Sequence, residues 1–217
     1  GRNIAERFTQ VWQRQGGKIV ANLQFEDSND LSKPIAELLE VTESEARANR
    51  LEKLLRQNVR SIPNRRQDVD MIFMVALPQQ ARSIRPMLSF YYAGNLPIYS
   101  TSLMYEPQMS EQKNTDLDHI TFADMPWILG GLDEHIASIQ QKSKDLWQQS
   151  FQENTKFYAL GVDANEITQY LSQLVVFPHY SVHGATGKLY LLNDGHIYRQ
   201  VQWATMKNGK PDSTNKA

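Results

Sequence analysis

Residues 71–77 (MIFMVAL) form an apolar run with no polar residue in it. A strand with water on one face alternates polar and apolar side chains. An unbroken run of this length therefore reads as a strand buried on both faces of a parallel sheet. Parallel strands need a crossover, and the next residues supply one: Ala81, Ile84, Leu88 and Tyr91 fall at helical spacing, with Pro86 expected to kink the helix. Residues 96–100 (LPIYS) then read as a second short strand, whose carboxyl end is Thr101-Ser102.

The same alternation runs upstream. Ile4, Phe8, Val11 and Trp12 fall at i, i+4, i+7 and i+8, so a helix is expected up to Gly16-Gly17, with Trp12 in its packed face. Residues 18–25 (KIVANLQF) read as a strand and 31–39 as a short helix. Thr42-Glu43-Ser44-Glu45 has the spacing of a capping box, opening a helix with Ala48, Leu51, Leu54 and Leu55 on one side. Helix and strand in turn give an α/β layer, doubly wound with a mostly parallel sheet, whose ligands sit beyond the carboxyl ends of the strands.

The pattern changes after residue 102. Residues 103–118 read as a polar loop, 119–123 as a short strand, and Asp124-Met125-Pro126-Trp127 as a crossing segment. Residues 132–151 read as helix. Phe157, Leu160, Ala164, Ile167, Leu171 and Leu174 make a regular helical stripe. Residues 188–192 and 196–206 read as strands around a turn at Asn193-Asp194-Gly195. A further turn is expected at Asn208-Gly209, followed by a frayed polar end.

Chemistry is sparse. The 217 residues contain no cysteine, which removes thiolate metal sites, disulfides and a cysteine nucleophile. Net charge is -1, which gives no general electrostatic case for nucleic acid. No apolar run reaches the ~18 residues of a membrane span. Gly184-Ala185-Thr186-Gly187-Lys188 echoes a phosphate loop, but the glycine spacing is too short and a strand follows where a helix is needed, so it reads as a structural turn. His119, His135, His179, His183 and His196 form no ligand pattern, and His179 and His183 flank β-like residues. The pairs Asp116/Asp118 and Asp133/Glu134 read as solvated charges, with a catalytic pair as the minor alternative. No nucleophile, base and orienter can be assembled, and no cofactor or metal is expected.

Arg47, Arg50, Lys53, Arg56, Arg60, Arg65 and Arg66 crowd one window. They read as an anionic-partner surface or, more simply, as the wet face of a helix and its exit loop, diluted by Glu43, Glu45 and Glu52.

Six stretches resemble, in order, the C-terminal domain of the penicillin-binding protein activator family, lipoproteins of the bacterial outer membrane. They are Gly1-Arg2-Asn3-Ile4-Ala5-Glu6-Arg7-Phe8 with Trp12 and Gly16-Gly17; the D-x-D-x-I-F strand from Asp68 to Ala76; Pro97-Ile98-Tyr99-Ser100-Thr101-Ser102; Phe122-Ala123-Asp124-Met125-Pro126-Trp127; Tyr158-Ala159-Leu160-Gly161-Val162-Asp163-Ala164; and Gly184-Ala185-Thr186-Gly187 with Leu189 and Asp194-Gly195. The resemblance implies a type I periplasmic substrate-binding fold. It implies a second lobe over 1–124, the returning part of the first lobe over 125–195, a final strand or hairpin over 196–212 and a tail over 213–217. The chain, which opens on Gly1 with an apolar helix face and nothing before it, is expected to be a piece of a longer one.

The implied function is a non-enzymatic regulator of peptidoglycan synthesis. It would bind and activate a class A penicillin-binding protein at the periplasmic face of the outer membrane, held there by an upstream lipid anchor. The competing reading is a periplasmic module that closes on an amino acid or amide. The candidate cleft-lining residues are Thr101, Ser102, Tyr105, Asp124 and Trp127.

Overall fold

A computed structural model describes residues 1–25, 30–57 and 64–213. The chain divides into two compact units: unit 1 comprises Gly1–Glu106 and Gln112–Ile120, and unit 2 comprises Pro107–Glu111 and Thr121–Ala217.

Unit 1 opens with α1 (Arg2–Arg14), which ends before Gly16 at φ +88°, a conformation costly for any residue with a Cβ. Its aromatic face is real but shallow. Phe8 stacks on Phe73 with centroids 3.8 Å apart and on Trp12 at 5.7 Å. No residue of α1 is fully buried, so Trp12 is half-buried and not core. Residues 18–25 form no strand. Ile19, Ala21, Leu23 and Phe25 keep the two-residue alternation of a strand, but among the described residues the segment is not paired into a sheet.

α2 (Ser32–Leu38) buries Ile35 and Ala36, and α3 (Val41–Leu55) follows after Glu40 at φ 57°. The expected capping box does not form. The helix begins at Val41, which is 2% exposed, so Thr42 already lies inside it, and Ser44 N donates to Glu40 O at 3.1 Å. Burial of Val41 sets the start, one residue ahead of the polar signal.

β1 (Ile72–Met74) is the paired part of the 71–77 run. α4 (Pro78–Phe90) starts with Pro78 in its first turn, where the missing N–H costs nothing, and the Gln80 side chain accepts from Leu77 N at 2.9 Å. It buries Ala81, Ile84 and Leu88. β2 (Ile98–Thr101) pairs with β1 in parallel, Ile72 opposite Ile98 and Met74 opposite Ser100.

Residues 103–118 are not a plain loop. They hold a 3-10 turn at Ser102–Met104, α5 (Glu111–Asn114) and a second 3-10 turn at Thr115–Leu117. Met104 and Leu117, both 0% exposed, anchor these turns. Two apolar residues set in polar sequence were enough to pin the segment.

In unit 2, β3 (Ile120–Asp124) leads into α6 (Pro126–Leu129), α7 (Glu134–Leu146) and α8 (Gln148–Val176). Asp133 caps α7 by accepting from Ile136 N at 2.8 Å. The expected helix over 132–151 is broken at Trp147, and α8 is interrupted at Asn154, whose φ is -124°. β4 (Val182–His183), β5 (Lys188–Leu191) and β6 (Ile197–Gln200) form an antiparallel three-stranded sheet. β7 (Gln202–Lys207) pairs antiparallel with β3 and with β8 (Lys210–Ser213).

The 196–206 run is therefore two strands in two sheets, parted at Val201. The polar end from residue 208 is a paired strand as far as Ser213, and the last four residues lie outside the description. Asn208 and Gly209 both have positive φ, the left-handed pair that a tight hairpin needs. A Cβ on Gly209 would fall 2.9 Å from Glu111 C, and Lys210 pairs with Glu111 at 2.9 Å, which ties residues 107–111 to this hairpin.

Candidate functional site

At the carboxyl end of β2 in unit 1, Ser100 points inward and donates through Oγ to Met74 O at 2.8 Å. Thr101, Ser102 and Tyr105 follow within five residues, all half-buried, where the strand gives way to the 3-10 turn held by Met104. The Thr101 hydroxyl is buried without a hydrogen-bond partner among the described residues. A buried donor left unpaired costs about 1–3 kcal/mol.

At the carboxyl end of β3 in unit 2, Asp124 is 3% exposed. Its Oδ2 accepts from Lys156 Nζ at 2.9 Å and its Oδ1 from Met125 N at 2.8 Å. Burial raises the Asp124 carboxyl above its ordinary 3.8, while the Lys156 ammonium and the Met125 amide oppose the rise. Gln202 stands opposite Asp124 in the β3–β7 register, and its Oε1 is buried without a partner among the described residues.

Trp127 is 4% exposed and sits in the core of unit 2 with Ile136, Phe151, Ala159 and Ala185. Its Nε1 donates to Thr155 Oγ1 at 3.0 Å, its backbone N donates to Ala185 O at 2.9 Å, and its carbonyl accepts from Gln140 Nε2 at 2.8 Å. The structure thus groups Thr101, Ser102 and Tyr105 in unit 1, and places Asp124 and Trp127 three residues apart in unit 2.

The Gly184–Gly187 stretch is a turn between β4 and β5, closed by Gly184 N donating to Gly187 O at 2.9 Å. Asp163, on α8 and 3% exposed, holds it. Its carboxylate accepts from Ala185 N at 2.5 Å, from Thr186 N at 3.1 Å and from the Thr186 hydroxyl. The backbone amides that a phosphate loop would turn toward its ligand face a carboxylate instead. A Cβ on Gly184 would sit 2.8 Å from Asp163 Cγ and 2.8 Å from Leu189 Cδ1, so the turn closes on the acid only with glycine there.

Sequence reading missed three of these groups. Lys156, Asp163 and Glu166 all lie on α8, and the inward line of that helix is Ala159, Asp163, Glu166 and Leu174. The expected stripe joins it only at Leu174, 3% exposed, with Ile167 packed against the same cluster; Phe157 at 72%, Leu160 at 39% and Leu171 at 46% exposed lie largely in water. Glu166 meets His135 of α7 at 3.3 Å. The available signal was that Asp163 and Glu166 share the i, i+4, i+7 line with Ala159.

A family model described as "LppC putative lipoprotein" matches residues 1–209. The chain belongs to the LppC family. This LppC chain is 28% identical over 207 residues to the penicillin-binding protein activator LpoA of Vibrio antiquarius, covering 94% of its own length and 33% of that protein. It is 24% identical over 207 residues to the protein of the same name from Photobacterium profundum, with the same coverage. The chain spans about a third of the length of these curated relatives.

Among solved structures it is similar to the LpoA (YraM) C-domain from Haemophilus influenzae, a regulator of PBP1A, with TM-score 0.56, 18% identity, and coverage of 79% of this chain and 57% of that one. It is also similar to a protein described as a putative branched-chain amino acid ABC transporter from Rhodospirillum rubrum, with TM-score 0.60, 17% identity, and coverage of 96% and 56%. These likenesses give the LppC chain the type I periplasmic binding-protein fold.

Proposed function

We propose that this chain is part of a non-enzymatic regulator of peptidoglycan synthesis, which binds and activates a class A penicillin-binding protein from a lipid anchor on the periplasmic face of the outer membrane. The observation that carries the reading is the family match over 1–209, together with relatives named penicillin-binding protein activators that align over 94% of the chain. In this reading residues 1–124 are the second lobe, 125–195 the return through the first, and 196–212 the closing strands. The polar groups described above support it by being tied into structure: Asp124 holds Lys156 and Met125 N, and Asp163 holds a turn. The test is binding of the full-length protein to purified class A penicillin-binding proteins, with glycan polymerisation and crosslinking followed alongside. Saturable binding with faster synthesis is expected; a folded protein that neither binds nor stimulates would refute the reading.

One observation favours a second reading, a module for a small amino acid or amide: the Thr101 hydroxyl, buried and unpaired among the described residues. Thr101, Ser102 and Tyr105 would then meet the ligand. A thermal shift with an amino acid, abolished by Thr101→Val, would support it.

A further inference from the structure

Asp124 ends β3 on the face that carries Phe122, and both side chains are buried. Residues directly opposite in an antiparallel pair project to the same face, with Cβ atoms about 4.5–5.5 Å apart. Thr121 and Thr205 obey this, their hydroxyls 3.0 Å from each other. Gln202, opposite Asp124, is therefore a neighbour of the carboxyl. Its Oε1 is buried and receives no hydrogen bond among the described residues. Gly131, at φ +85°, passes close over the same amide: a Cβ there would lie 3.4 Å from Gln202 Nε2 and 4.0 Å from Oε1.

An ionised carboxylate only accepts hydrogen bonds, so it offers nothing to a buried acceptor beside it. A protonated carboxyl has an O–H to give, and that is the group Gln202 Oε1 lacks. Burial itself favours the neutral form of Asp124. The charged group that acts on Asp124 is Lys156, from α8; Gln202 on β7 and the Met125 amide at the start of α6 are neutral. Lys156 holds Oδ2 while Met125 N holds Oδ1. The Lys156 side chain is 36% exposed, so its ammonium can exchange the carboxylate for water without leaving a buried charge.

We propose that Asp124, Gln202 and Lys156 form a proton-operated latch on α8. With Asp124 ionised the latch is closed on Lys156. A proton from water adds to Oδ2, the new O–H donates to Gln202 Oε1, and Lys156, still protonated, turns to solvent. Oδ1 keeps the Met125 amide throughout. Thr155 and Lys156 are the first residues of α8 past the interruption at Asn154, so the latch acts where the helix is already broken. Opening it leaves the hydrogen bond from Trp127 Nε1 to Thr155 Oγ1 in place beside it.

The test follows the Asp124 carboxyl carbon and the Lys156 Nζ by NMR through a pH titration of the wild type, of Gln202→Met, which keeps the volume, and of Gln202→Ala, which admits water. Circular dichroism checks that each variant is folded. Removing the acceptor is expected to lower the proton affinity of Asp124 by about fivefold, the size of one lost hydrogen bond. Unchanged affinity in Gln202→Met overturns the latch. So does a rise, which would mean that the Gln202 amide donates to the carboxylate. The wild type gives a second readout that needs no variant: the Lys156 resonance is expected to move with the same midpoint as the Asp124 carboxyl. A Lys156 that stays fixed while Asp124 titrates, or an Asp124 that stays ionised until the protein unfolds in acid, overturns the proposal.

Discussion

Asp163→Ala is the most informative single change in unit 2. The wild-type carboxylate takes three hydrogen bonds from Ala185 and Thr186, residues that are both 0% exposed. Truncation strands two N–H groups and a hydroxyl where water enters only if the turn opens. Each stranded group costs about 1–3 kcal/mol. Removing a carboxylate also relieves its own desolvation, so the net loss is set near the lower end of the sum, about 3–4 kcal/mol. Against a total of roughly 5–15 kcal/mol for a folded domain this is a large fraction.

The assay is urea unfolding followed by tryptophan fluorescence. Trp127 reports directly, because its backbone N donates to Ala185 O of the same turn. With a urea dependence of about 2 kcal/mol per molar, the midpoint falls by roughly 1.5–2 M. Asp163→Asn keeps one acceptor and turns an amide donor toward Thr186, so it is expected to recover less than half the loss. Asp145→Ala, where an exposed Gln141 bond is lost, should stay within about 0.5 kcal/mol. A midpoint shift for Asp163→Ala no larger than that control would refute the claim that the carboxylate holds the turn.

Other outcomes can be measured on the same protein. Gly184→Ala places a methyl 2.8 Å from Leu189 Cδ1 and against the Asp163 carboxylate, and should destabilise by about 1–3 kcal/mol in thermal melts. Asp124 has its carboxyl raised by burial, so the folded state holds its proton more tightly than the unfolded chain. Its contribution is full below the ordinary 3.8 and is lost as pH rises through the raised value, and Asp124→Asn should flatten that part of the Tm–pH curve. Asp68 is held down to about 2 by its hydrogen bonds from Arg66. Its contribution is present above the ordinary 3.8 and fades as pH falls toward about 2; carboxyl NMR titration should show this, and Arg66→Gln should return Asp68 toward the ordinary range.

The alternation of helices and strands in unit 1 was legible because hydrophobic period and turn chemistry agree there. Pro78 starts α4, the apolar run gives β1, and Ser100 faces Met74 across a parallel register. Reading failed where a tertiary contact outvoted the local pattern. Burial of Val41 moved the start of α3 ahead of its polar signal, and the 196–206 run parts at Val201 into strands of two sheets. In α8 the apolar stripe packs only around Ile167 and Leu174, whereas just before them the packed side carries Asp163 and Glu166. Periodicity weighs residues by hydrophobicity, and an acid that buries itself by accepting from turn amides looks to that measure like a surface residue.

The same blindness governs the candidate site. Thr101, Ser102 and Tyr105 were legible as a strand end because position alone identifies them. Asp124 was legible for the same reason, but its partner Lys156 lies 32 residues on, and no spacing rule links the two. The consequence for function is that the charged side chains of unit 2 with the least exposure, Asp124, Asp163 and Glu166, all have partners within the unit and are poor candidates for surface recognition.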